Sequence, residues 1–355
     1  MPTLFDQKVL PMKLPVFAGL LATSLLTSTA MAAPNVVASI KPVHSLVAAV
    51  MEGVGEPTLI VKGSASPHTY ALRPSDAGAL EAADIVFWTG HGMELFLADA
   101  LDTLAPEATL VELAEAPGLT LLPVREGGAF EAHEHEGEAH DHEGEEAHEH
   151  AHEDAHEHEA EAHDHADDEA HEHAEPAGKH DHEHDEGDMH FWLDPQNAKL
   201  MVEDIARTLS EADPENAAAY AANAQAQGEK LDALEAELRQ TLAPVADRPF
   251  VVFHDAYQYF EQRFGLTVAG SVTVSPEVAP GAARIDELRA KVATLDAACI
   301  FAEPNFEPAV VATIAEGSGT QTGVLDPEGG ALTEGINLYP NLLRGLATSL
   351  VDCLD

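Results

Sequence analysis

Residues 126–188 constrain this chain most, because nothing in them can build a core. They hold 26 Asp and Glu, one Lys (Lys179) and sixteen of the chain's 21 His. Aliphatic side chains are nearly missing, and Ala, Glu and His recur every few residues. Such a stretch buries too little apolar surface to offset its chain entropy, so disorder is expected without metal. The fold must therefore come from the two flanks and must tolerate a long excursion between them. This segment also supplies more than half of a formal net charge of −46, from 17 Lys+Arg against 63 Asp+Glu. So much acid, with only 5% aromatic residues, excludes a nucleic-acid binder or a partner for anionic lipid. It suits a protein that attracts cations.

The first flank opens with a segment to be set aside. Lys13 precedes an apolar stretch over 14–30, followed by the small-x-small pattern Ala30-Met31-Ala32. Residues 1–32 read as a cleaved secretory signal peptide with Ala33 as the first mature residue, and Met12 is an alternative start to Met1. The stretch falls short of the ~20 apolar residues that span a bilayer, and Thr and Ser interrupt it. The expected product is exported, soluble and monomeric, with no lipid anchor. Its only cysteines, Cys299 and Cys353, form an isolated even pair. In an oxidising compartment that is most simply a disulfide, stapling the last helix to the core.

Elsewhere strands and helices alternate. Strands are expected over 35–40, 58–61 and 84–88, with helices over 43–52 (opened by Pro42), 74–82 and 93–104. Beyond the insert, 197–210 is amphipathic. Residues 214–242 are rich in good helix formers and predict a helix of about 29 residues, roughly 44 Å long. Pro244 and Pro249 end it. The second flank repeats the theme, with strands over 250–253, 266–272, 299–302 and 322–325. Its helices are expected over 256–264, 284–295, 308–315 and 337–350. The reading is an α/β fold of two lobes, each a mainly parallel sheet flanked by helices, joined by one long rigid helix. The divisions are an N-terminal lobe over 33–213 that includes the insert, a linker helix over 214–248 and a C-terminal lobe over 249–355.

Three His outside the insert fall at element ends. His68 lies in a loop after a strand, His190 follows the insert directly, and His254 ends an apolar strand. Open α/β sheets gather ligands beyond the carboxyl ends of their strands. Neutral imidazole suits Zn²⁺, and three imidazoles from two lobes can close around one ion in the cleft between them. Any one of them alone reads equally well as a local cap. Their joint placement beside a His-rich insert favours ligation. Asp326, in VLDPEGG, offers a fourth, oxygen ligand or is simply the turn Asp before Pro327. His44, in the first turn of a helix, and His91, in a Gly-rich turn, read as structural.

The insert's histidines are His133, His135, His140, His142, His148, His150, His152, His156, His158, His163, His165, His171, His173, His180, His182 and His184. They read as many weak, exchangeable Zn²⁺ sites. The alternative is an acidic solubilising tether, which would not need His. Two H-E-x-x-H matches, starting at His148 and His152, raise a metalloprotease. In a His/Glu repeat such matches arise by chance, and a protease needs an ordered helix, a third ligand and a walled cleft. No P-loop, dinucleotide fingerprint, nucleophile elbow or EF-hand loop is present, so no enzyme is expected.

The segments PHTYALRPSDAGALEAADIVFW, MHFWLDP after the insert, FVVFHDAYQYFEQRFGL, CIFAEPNFEPAVV and VLDPEGG form a specific set. Over nearly all of the mature chain they resemble the zinc-binding periplasmic component of ABC-type zinc uptake transporters. The resemblance implies two α/β lobes bridged by a rigid long helix, with the metal in the cleft. It implies His68, His190 and His254 as ligands, a Cys299–Cys353 disulfide, a periplasmic location and an ABC permease as partner. Some members carry a Glu just before the first His; here Pro67 stands there, leaving the fourth position to water, Asp326 or an insert His. Related manganese binders usually carry a carboxylate where His254 stands, so His254 favours zinc. The expected function is capture of Zn²⁺ and its delivery to the permease, with the insert as a low-affinity collector. A manganese or iron binder of the same fold, and a periplasmic zinc buffer or chaperone, are the alternatives.

Overall fold

In a computed structural model of the protein, the described residues are 33–125, 130, 187–273, 282–294, 297–304, 308–317 and 319–355. The signal-peptide reading of 1–32 and the sixteen insert His lie outside them. Among the described residues two four-stranded sheets form, both entirely parallel. The first comprises β1 (Val36–Ala38), β2 (Thr58–Leu59), β3 (Ile85–Trp88) and β4 (Thr109–Glu112), in the order β2-β1-β3-β4. The second comprises β5 (Phe250–His254), β6 (Val268–Thr273), β7 (Cys299–Ala302) and β8 (Gln321–Val324), in the order β6-β5-β7-β8.

Parallel neighbours need long crossovers, and helices supply them. In the first lobe these are α1 (Lys41–Val50), α2 (Pro74–Glu81) and α3 (Leu95–Leu104). In the second they are α6 (Gln258–Phe264), α7 (Ala282–Thr294) and α8 (Pro308–Ala315). The strands β1, β3, β5 and β7 are buried along their whole length, as strands covered on both faces must be. Strand β4 has no counterpart in the sequence reading. It is an edge strand with Thr109 and Leu110 exposed, so it lacks the continuous apolar run that marks the others.

Between the sheets run α4 (Pro195–Ala212) and α5 (Ala217–Leu242), and α9 (Leu338–Leu354) closes the chain. Helix α5 has 26 residues and starts later than its composition predicts. Asp213 holds the preceding turn instead, accepting from Asn216 Nδ2 at 2.7 Å and Tyr220 Oη at 2.9 Å. Tyr220, Gln227, Leu231, Leu234, Leu238 and Leu242 form its buried stripe, packed on α1, α4 and α9. The spacing of three and four is that of one helix face. One apolar core is continuous from β1 and α1 through α4, α5 and α9 to β5 and β7. The Cys299–Cys353 disulfide joins β7 to α9.

Polar contacts stitch the lobes where the core ends. Lys41, only 5% exposed, donates from Nζ to the carbonyls of Gly329 (3.2 Å), Gly330 (2.7 Å) and Leu332 (3.0 Å). A cation in the first turn of a helix opposes the helix dipole, and these three carbonyls offset that cost. Gly330 permits the approach, since a Cβ there would press on the Ser64 backbone at 3.2 Å. Trp192 Nε1 donates to Pro327 O at 2.9 Å, and Tyr339 Oη donates to Trp192 O at 2.6 Å.

Candidate metal centre

His254 is the last residue of β5. Its neighbours β6 and β7 lie on opposite sides of it, so it stands at the switch point of the second sheet, where crevices open. His190 immediately precedes the single 3-10 turn Phe191–Leu193 that leads into α4. That entry is fixed by Asp194, which accepts from Gln196 N at 2.8 Å and from Arg263 Nε at 2.7 Å. His68 lies in the β2–α2 loop. Asp76 closes this loop by accepting from Arg73 N (2.9 Å) and Tyr70 Oη (2.8 Å).

These three elements bring the imidazoles to one point. One ligand atom from each of His68, His190 and His254 lies within 4.8 Å of the other two. Ring centroids are 5.7 Å apart for His68–His190 and His68–His254, and 5.1 Å for His190–His254. His190 and His254 are buried, and His68 is half-buried.

Two carboxylates set the direction of the rings. His190 Nδ1 donates to Asp188 Oδ1 at 2.8 Å, and His254 Nδ1 donates to Glu303 Oε1 at 2.7 Å. A carboxylate only accepts, so each Nδ1 carries hydrogen and each Nε2 turns its lone pair to the centre. The two Nε2 atoms lie 3.2 Å apart. That separation is within hydrogen-bond distance, and a bond there requires one ring to carry hydrogen on Nε2.

The local field treats the rings differently. Burial alone would lower His254, but Glu303 outweighs it and raises the imidazole above its ordinary range. Burial, then the charges of His254 and His190, push His68 down to about 2. His68 is therefore a neutral donor at any physiological pH.

Asp326 is not in the three-His group. Its Oδ1 accepts from the backbone N–H of Glu328 (3.2 Å) and Gly329 (2.8 Å), the geometry of a turn Asp. His44 Nε2 donates to Pro57 O at 3.1 Å, and His91 pairs with Glu112 at 3.0 Å on the surface. Neither joins the cluster. Asp188 and Glu303 escaped the sequence reading. Glu303 directly follows β7, so the strand-end rule that picks out His254 also applies to it. Asp188, two residues before His190, is one acid among the many of the insert's edge.

The sequence profile of a family described as zinc-uptake complex component A, periplasmic, matches residues 36–353. The high-affinity zinc uptake system protein ZnuA of Brucella suis biovar 1 is 56% identical over 323 residues, covering 90% of this chain and 92% of that protein. Its namesake from Paracoccus denitrificans is 41% identical, covering 96% and 97%. Among solved structures, a crystal structure of ZnuA aligns with a TM-score of 0.64 at 22% identity, over 90% of this chain and 99% of that one. The solute-binding protein FpvC of Pseudomonas aeruginosa in complex with Mn²⁺ aligns with a TM-score of 0.66 at 19% identity, over 90% and 98%. At such identities the structural likeness is one of fold.

Proposed function

The chain belongs to the periplasmic zinc-uptake component A family, and from that premise we propose that it captures Zn²⁺ between His68, His190 and His254 and hands it to the membrane permease of an ABC importer. This is a binding and transport role, not an enzymatic one, with Zn²⁺ as cargo. The observation that carries the reading is the convergence of three imidazoles from two lobes on one point. In this reading residues 1–32 are the export signal, and the insert's histidines gather Zn²⁺ at low affinity.

Three nitrogen donors at about 2.0–2.1 Å suit a borderline-soft ion, and Zn²⁺ commonly takes three protein ligands plus one open position. Water or an insert His fills that fourth place. A manganese binder would favour oxygen donors. Competition between metals on the purified protein discriminates the two, and a preference for Mn²⁺ rejects zinc.

The decisive experiment is a Zn²⁺ titration of the chain with and without residues 131–186. Deletion is expected to remove the weak sites and leave one tight site. Loss of all binding on deletion rejects the cleft assignment.

The raised His254 gives a second expected result. Zn²⁺ needs a free lone pair on its ligands, so capture releases any proton held on His254 Nε2. Calorimetry in two buffers of different ionisation enthalpy reads that release. The sign follows: His254 holds its proton more tightly than an ordinary His, so affinity is full above its raised range and falls as pH drops through it. The decline therefore begins above pH ~6.5, the value for a free imidazole. An affinity flat between pH 8 and pH 6 rejects the assignment.

A further inference from the structure

The chain entering and leaving the insert is held by the opposite lobe. Residues 121–125 and 187–190 lie side by side, with Asp188 N donating to Leu122 O at 2.7 Å. They are so close that a Cβ at Gly187 would meet Leu121 Cβ at 2.6 Å and Leu122 O at 2.9 Å. Helix α6 of the second lobe covers both. Tyr259 Oη donates to Asp188 O at 2.7 Å and accepts from Leu122 N at 2.8 Å. Gln258 Nε2 donates to Pro123 O at 3.0 Å. Arg125 reaches back in the other direction, forking onto Asp255 and meeting Glu261 Oε2 at 2.7 Å.

Asp188 is thus bonded through its backbone and one carboxylate oxygen. Its N–H goes to Leu122, its carbonyl takes Tyr259, and its Oδ1 takes both the N–H and Nδ1–H of His190. Tyr259 itself sits five residues beyond His254, on the segment that follows β5. One phenol therefore connects the support of His190 to the segment that carries His254. The ring is 3% exposed, and both hydrogen-bonding capacities of its hydroxyl are used.

We propose that Tyr259 is a positioning residue for metal capture: through Asp188 it holds the His190 imidazole in register with His254 across the lobe boundary. The inference rests on the reading of His190 and His254 as ligands. Outer partners of metal-binding His set ring orientation, and losing them commonly weakens metal binding 10–100-fold.

The test is chelator-competition measurement of Zn²⁺ affinity on the full-length mature protein and a set of variants. Tyr259→Phe keeps the ring and is expected to weaken binding about tenfold. Asp188→Asn is expected to do the same or more, and the double variant no more than the weaker-binding single, because both act on one imidazole. A merely structural tyrosine would give losses that multiply. Gln258→Leu, which removes a neighbouring bond with no link to Asp188, is expected to stay within about twofold of wild type. Should Tyr259→Phe fail to fold, Asp188→Asn decides alone, and wild-type affinity in that variant overturns the clasp. His190→Ala separates the two layers of the argument. If it loses tight binding while Tyr259→Phe keeps it, the ligand set stands and the clasp is overturned. Multiplying losses also overturn the clasp. If His190→Ala keeps wild-type affinity, the ligand reading and the clasp fall together.

Discussion

Replacing His68, His190 and His254 together by alanine, in a chain lacking residues 131–186, is expected to lower Zn²⁺ affinity by more than about a thousandfold. All three nitrogen donors go at once, and Asp188 and Glu303 lose the rings that they orient. The loss comes with a stability cost. Among the described residues Glu303, 3% exposed, keeps only the Tyr257 hydroxyl at 3.3 Å. An under-satisfied buried carboxylate costs about 1–3 kcal/mol or takes up a proton instead. Circular dichroism and thermal unfolding of the apo form must therefore accompany the chelator competition. A folded triple variant that still holds Zn²⁺ as tightly as the parent refutes the ligand set.

The second large effect is on stability. Cys299 and Cys353 close a loop with a sequence separation of 54. The chain-entropy model assigns such a loop about 4 kcal/mol at 25 °C. Replacing both cysteines by alanine is expected to lower the midpoint of thermal unfolding by about 4–8 °C, at about 1–2 °C per kcal/mol for a chain of this size. Zn²⁺ affinity should change little, because the bridge joins β7 to α9 and touches none of the three His. A calorimetric scan of oxidised wild type against the double variant reads the shift. Equal midpoints would mean that packing of α9, not the bridge, holds the C-terminus. That packing is substantial, with Leu342, Leu343, Leu346 and Leu350 all buried.

Much of the architecture was legible because parallel strands covered on both faces must be apolar throughout. Runs such as Ile85–Trp88 and Cys299–Ala302 stand out for that reason. Strand β4 did not, because half of it faces solvent and its pattern is mixed. The late start of α5 depends on the Asp213 turn, which composition does not register. The three imidazoles were legible because strand ends and the insert boundary single them out. Their orienting acids were not. With 63 Asp and Glu in the chain, only folding reveals that Asp188 and Glu303 face ring nitrogens. Lys41 was equally opaque, since its carbonyl partners lie about 290 residues away along the chain.

That lysine has a consequence for the transport cycle. An ammonium gripped by three carbonyls of the facing lobe, with Trp192 and Tyr339 alongside, rivets the two halves into a single mould. The entropy of aligning the imidazoles is then spent when the polypeptide folds, and an arriving ion meets a seat already cast. On the proposed reading, capture asks little movement of the lobes, and release is the step that must work against this mould.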